Sequence, residues 1–265
     1  MQSRFYNTYF NFNILNKNTK DFPREIFIPE ILPNEGQKIS EGNLYITPKP
    51  LILMRTKETI QIIIAIVILS AVICFSSLFD NTPTAVSTAL IYSVLIIGVS
   101  VAAKKVFAYL LDATVEHEIW RVSRYGWKPH NYFKKPIPAG VIIPLFFSIF
   151  SLGFLKLMTL LTYETGALKE RAARRFGFYS YTEMTDWHNG LIGAAGIIAV
   201  LILSIVSYLV PGSDALWRLA AYYAFWNMIP VSNLDGTQIF FGSRILWSTL
   251  AIIVFIFTAY AFMLA

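Results

Sequence analysis

The sequence predicts an all-α polytopic membrane protein, with about five transmembrane helices, a re-entrant hairpin and a short β element at the membrane edge. Three observations carry that expectation. Hydrophobic residues make up 55% of the 265-residue chain and charged residues only 14%, with a mean hydropathy of +0.54, far from the balance of a soluble domain. Apolar runs of membrane length recur almost without charge. The basic residues gather in two segments: 104–135 holds seven, and 161–189 holds Lys169, Arg171, Arg174 and Arg175, while the turns at 80–84 and 211–215 hold none.

A net charge of +6 can signal nucleic-acid binding. Here the cations flank apolar segments, so they report topology, and the expected partner is the lipid bilayer rather than nucleic acid. Cys74 is the only cysteine, which excludes an intrachain disulfide and a Cys-rich zinc site. Residues 1–55 read as a soluble N-terminal tail, polar, Asn-rich and punctuated by proline, with no cleavable signal peptide. Residues 56–265 read as the membrane domain, placed in the cell membrane with its N-terminus cytoplasmic.

Ile60–Phe79 is an uncharged run long enough to span the roughly 30 Å hydrocarbon core. Asp80–Pro83 is a tight turn, and Ala85–Ala103 spans back, its helix continuing past Lys104 and Lys105 toward Asp112. Thr114–Trp127 alternates, with Val115, His117 and Ile119 between Glu116, Glu118 and Trp120, which is a strand signal. Pro138–Leu161 is apolar but broken by Pro144, Gly153 and Lys156. If it crossed, the second basic segment would lie on the opposite side from the first, so a re-entrant hairpin is expected. Lys169–Phe178 reads as a short basic helix or loop. Gly190–Val210 spans outward with small residues at Gly190, Gly193, Ala194 and Gly196 for close packing. Ala215–Pro230 returns, and Ile245–Ala265 spans once more.

Between those last two runs lies Asn227-Met-Ile-Pro230-Val-Ser-Asn-Leu-Asp235-Gly236. An apolar helix breaks at Pro230, crosses a polar turn and restarts at Asp235. A carboxylate between two membrane-length runs is costly unless it has a partner or a cavity. Asp235 can cap the backbone of the new helix, pair with a cation such as Lys104, or bind metal.

This Asn-x-x-Pro-x-x-x-Leu-Asp-Gly string resembles the last signature motif of the site-2 protease family of intramembrane zinc metalloproteases. The resemblance implies that Asp235 stands at the third zinc ligand and that Asn227, Pro230, Asp235 and Gly236 border a substrate groove. In an archaeal-type branch the metal helix precedes an aromatic strand and a broken apolar hairpin. Val115–Glu118 is similar to that strand and Pro138–Leu161 to that hairpin. Arg55–Glu58 is similar to that branch's approach to its first helix. Leu191–Gly196 stands where the family has an Ala-Gly-Pro-x-x-Asn motif, without the proline and asparagine.

A zinc hydrolase of this kind needs His-Glu-x-x-His, two histidines one helical turn apart with a glutamate as base. The one His-Glu pair is His117-Glu118, whose fifth position is Arg121, and arginine cannot ligate zinc. Counting back from the strand places the metal motif on Ser100–Lys104, so Ser100 and Lys104 occupy the ligand positions and Val101 that of the base. The expectation is therefore a site-2-protease-like pseudoenzyme without a cofactor that binds transmembrane protein segments by strand addition. Two alternatives stand beside it. One is an active zinc protease with rearranged ligands His117, Glu118 and Asp235, serving regulated intramembrane proteolysis. The other is a small transporter component, disfavoured by the few charges inside the spans and the lack of two matching broken helices.

Overall fold

The computed structural model describes residues 55–79, 86–124, 132–167 and 184–264. The N-terminal tail, the Asp80–Pro83 turn, the end of the expected strand at 125–127, His130 and the basic segment Lys169–Phe178 lie outside the described residues. Helices α1 (Thr56–Phe79), α2 (Val86–Leu110), α3 (Ala139–Phe150), α4 (Asp186–Leu209), α5 (Asp214–Met228), α6 (Asp235–Gly242) and α7 (Arg244–Met263) dominate. Four short strands accompany them: β1 (Ala113–Ile119), β2 (Val122–Arg124), β3 (Tyr132–Ile137) and β4 (Leu161–Ala167).

Among the described residues, α1, α2, α4 and α7 are long and apolar enough to cross a membrane. Their outward faces carry exposed Ile63, Val67, Ile91, Ile202, Ile252 and Phe255, as lipid-facing surfaces require. The run at Ala215–Pro230, expected as a further full span, is a helix of 15 residues, about 22 Å long at 1.5 Å per residue. It stops because Pro230 disfavours helical geometry in the residue before it, and Ile229 is extended at φ −66°, ψ 128°. The Met228 carbonyl freed there accepts a hydrogen bond from Trp247 Nε1 at 3.1 Å. The turn passes Ser232 in the left-handed region, φ 54°, before α6 begins.

Helix α4 is the hub, packed against α2, α5 and α6. Its small residues permit this. A Cβ at Gly190 would press on the Gly242 backbone, one at Gly193 on the Tyr163 hydroxyl, and one at Gly196 on the aliphatic stem of Lys104. Ile96, Ile97, Ile192, Val200 and Ala220 fill the interior between these helices. Close helix approach through small residues is how packing is gained where lipid offers no hydrophobic drive.

The alternation at Thr114–Trp127 resolves into two strands rather than one. β1 runs antiparallel to β4, with His117 opposite Tyr163 and Glu116 opposite Glu164. β2 pairs with β3 in a separate ribbon. The break falls at Trp120, whose N–H donates to the Leu160 carbonyl at 2.9 Å and whose carbonyl accepts from Gly140 N–H at 2.9 Å. The two ends of the 138–161 segment therefore meet at one residue: α3 leads away and an extended return comes back. Gly140 makes this possible, because a Cβ would collide with the Leu160 carbonyl. On α3 itself, Ile142, Phe146, Ile149 and Phe150 are exposed.

Candidate functional site

The β1–β4 ladder places alternate residues on opposite faces. Val115, His117 and Tyr163 turn toward the helices and are buried, while Glu116 and Glu164 turn outward and are exposed. His117 and Glu118 therefore point to opposite sides of one strand.

On the inner side lies a buried cluster of charge. Lys104, from α2, sets its ammonium 2.5 Å from Asp235 Oδ2 at the start of α6, and both side chains are almost wholly buried. The Lys104 ammonium also stands over the Tyr163 ring, 4.8 Å from its centroid, a cation–π contact that steadies a desolvated cation. Its stem lies in the space left by Gly196. A second pair sits beside the first: Glu58 of α1 accepts from Lys105 Nζ at 2.8 Å and meets His117 Nδ1 at 2.9 Å. The His117 backbone N–H donates to the same carboxylate, and the Ile119 N–H donates to Gln61 at 2.9 Å. Glu58 and Gln61, one helical turn apart, thus supply the acceptors that a neighbouring strand would supply to this edge of β1.

The cluster balances. Two carboxylates face two ammoniums, and His117 between them is held below the ordinary imidazole range, chiefly by burial, with the Glu58 hydrogen bond opposing and the Lys104 charge assisting. A neutral ring donating Nδ1–H to Glu58 leaves Nε2 as a bare acceptor, and no partner among the described residues reaches it. Burial and then the Asp235 charge hold the Tyr163 hydroxyl well above the usual phenol range, so it stays a neutral donor, to the Asn189 carbonyl at 2.6 Å.

The positions that the sequence marked for a lost metal motif are gathered here. Ser100 and Lys104, one turn apart on α2, are both buried, and Val101 packs into the core. The residues do not fit zinc. Asp235 is the lone carboxylate at the junction, the Lys104 ammonium already holds one of its oxygens, and Ser100 brings a hydroxyl where an imidazole is needed. Among the described residues no three His, Cys, Asp or Glu side chains come together in a way that could hold a metal ion. Capping does not explain Asp235 either. It is the first residue of α6, the cap position is Leu234 and carries no side-chain cap hydrogen bond, and Oδ1 has no partner among the described residues.

The expected groove residues behave differently from one another. Pro230 is exposed, but Asn227 and Gly236 are buried. Asn227 donates to the Tyr223 carbonyl at 2.9 Å and the Met158 carbonyl at 3.4 Å, tying α5 to the segment between α3 and β4. Gly236 backs directly onto the Met228 carbonyl. The open surface lies nearby instead, in a cavity of about 320 Å³ lined by Thr162–Thr165, Asn189, Asn233 and Gln238. It runs along the outer edge of β4. Because the His117 N–H points away from β4, the pair His117–Tyr163 is non-hydrogen-bonded, and Leu161, Tyr163 and Thr165 aim their backbone N–H and C=O at that edge. Among the described residues nothing pairs with them. Glu58, Lys105, Tyr163, Asn189, Asn233 and Gln238 were not singled out in the sequence. The alternation Leu161-Thr-Tyr-Glu-Thr165 was the available signal, masked by the apolar segment it follows.

Fold and site together define an integral membrane protein with a charge-compensated polar core and a strand, β4, whose outer edge has no backbone partner among the described residues. No family model matches the sequence, and no curated protein or solved structure shows a significant match to the chain.

Proposed function

We propose that this chain is a membrane-embedded binding protein of site-2-protease-like architecture that receives an extended segment of a partner at the β4 edge and does not hydrolyse it. The observation that carries the reading is the row of backbone groups on β4, at Leu161, Tyr163 and Thr165, that nothing among the described residues pairs, beside a polar cavity. A strand edge left open is a template for another chain. The side-chain amides of Asn189, Asn233 and Gln238 can each donate and accept, which suits the far edge of an added strand. The cavity is of the size of small ligand pockets, roughly 300 Å³ and upward.

In this reading α5, the Pro230 turn and α6 together make a fifth, broken crossing, and α3 with its extended return dips into the bilayer and comes back. That keeps the basic segments on the cytoplasmic side together with the N-terminus. Lys104 stands in for a metal: its ammonium supplies the positive charge that Asp235 needs at membrane depth.

Fluorescent peptides with a membrane-length apolar run and a central helix-breaking Gly-Pro test this on purified protein in detergent. Binding without cleavage is expected, and Thr165→Pro should abolish binding while Thr165→Ala retains it. The proline removes an outward N–H that makes no bond among the described residues, so folding tolerates it at an edge while an added strand does not. Cleavage that is lost on chelation and in Asp235→Ala would establish the active protease with rearranged ligands instead. Solute flux in vesicles, with no peptide binding, would establish the transporter reading.

A further inference from the structure

We infer that the segment received at the β4 edge carries a lysine or arginine beside Glu164, an inference that rests on the strand-addition reading above. The register sets Glu116 directly across from Glu164, with Glu118 next on the same outer face. Like charges opposed across a strand pair weaken it, and a cation beside either carboxylate relieves that repulsion. Arg55 answers Glu116, with Nη1 3.0 Å from Oε1. Among the described residues no cation answers Glu164, and none answers Glu118.

Among the described residues Glu164 is also the one charged residue in the wall of the cavity, the others being hydroxyls, amides and the Tyr163 ring. The wall thus offers a carboxylate and neutral groups to whatever enters. Ladder geometry fixes where the missing cation belongs. Glu164 spends its backbone N–H and C=O on β1, because its pair with Glu116 is the hydrogen-bonded kind. Toward an added antiparallel strand it is then a non-hydrogen-bonded position, the kind whose facing side chains approach most closely, with Cβ atoms about 4.5–5.5 Å apart. A lysine or arginine there reaches the Glu164 carboxylate from the slot and lies on the same face as Glu118. A glutamate there would add a third like charge to the row across the ladder.

Three ten-residue peptides of alternating Val and Thr, identical except for a central Lys, Gln or Glu, test this against the full chain in detergent by fluorescence anisotropy. The Lys peptide is expected to bind about twofold to fivefold tighter than the Gln peptide, the worth of one opposite-charge cross-strand pair, and the Glu peptide to bind weakest. Glu164→Lys should invert that order, and Glu164→Gln should erase it. Added salt should compress the difference, since the pair is exposed. Equal affinities for the three peptides, or an order unchanged in Glu164→Lys, would overturn the charge selection and leave the strand edge standing. Failure of all three to bind, with the Gly-Pro membrane peptides failing as well, would overturn the strand-addition reading itself.

Discussion

Replacing Lys104 with alanine should destabilise the protein by about 3–5 kcal/mol, the cost of leaving one member of a buried ion pair without the other. Asp235→Ala should cost a similar amount. Removing both partners should cost much less than the sum, because the penalty in each single variant is a stranded charge rather than a lost attraction. A Lys104→Met, Asp235→Leu double variant, which keeps the volume, is expected near wild-type stability or above it. Thermal unfolding in detergent measures all of these. The pattern separates two accounts of Asp235. If the ammonium compensates the carboxylate, the two substitutions couple strongly. If Asp235 served a metal, Lys104 would be a repulsive neighbour and its removal would be neutral or stabilising. The 2.5 Å contact, the burial of both side chains and the Tyr163 ring beneath the ammonium favour strong coupling.

Gly236→Ala is expected to be more disruptive than any other single methyl added in this region. A Cβ at Gly236 would run into the carbonyl of Met228 and approach that of Ile229, and neither can yield without moving the break at Pro230. Overpacking a close-fitted interior usually costs about 1–3 kcal/mol and more where backbone is struck. The displaced segment carries Asp235, so the ion pair with Lys104 would be strained as well. Gly196→Ala is the informative contrast. There the obstacle is the flexible stem of Lys104, which can shift, so the loss should be smaller and should appear as a weakened Lys104–Asp235 coupling. Expression yield and thermal unfolding of the two variants, side by side, give the comparison. Equal, mild effects would mean that the turn is more compliant than its packing implies.

The membrane helices were legible because each is a run of about 20 apolar residues, and β1 because Val115-Glu-His-Glu-Ile119 alternates. In the 138–161 segment the end of α3 was legible from Gly153, while Pro144, expected to break the run, lies inside the helix. The closure of that segment at Trp120 was not legible, since it depends on three backbone groups from distant parts of the chain. Lys104 could be suspected as the partner of Asp235 because a buried carboxylate demands a cation and Lys104 lies inside an apolar helix. Glu58 gave no such sign: at the start of α1 an acidic residue is expected for the helix dipole alone, and nothing local says that it faces His117 and Lys105. Asn227 and Gly236, expected to border a groove, are buried against backbone instead of lying open. A polar or glycine residue in a motif can serve buried backbone as readily as a ligand, and here both do. β4 was missed because its alternation begins where an apolar run ends, and a strand shows its meaning only once its partner is known.

In the proposed reading a lysine, not a metal, compensates the buried Asp235. Zinc analysis of the purified full chain, wild type beside Asp235→Ala, tests it most directly. The account predicts substoichiometric zinc at the same level in both proteins. One zinc per chain in the wild type, lost in Asp235→Ala, would contradict it.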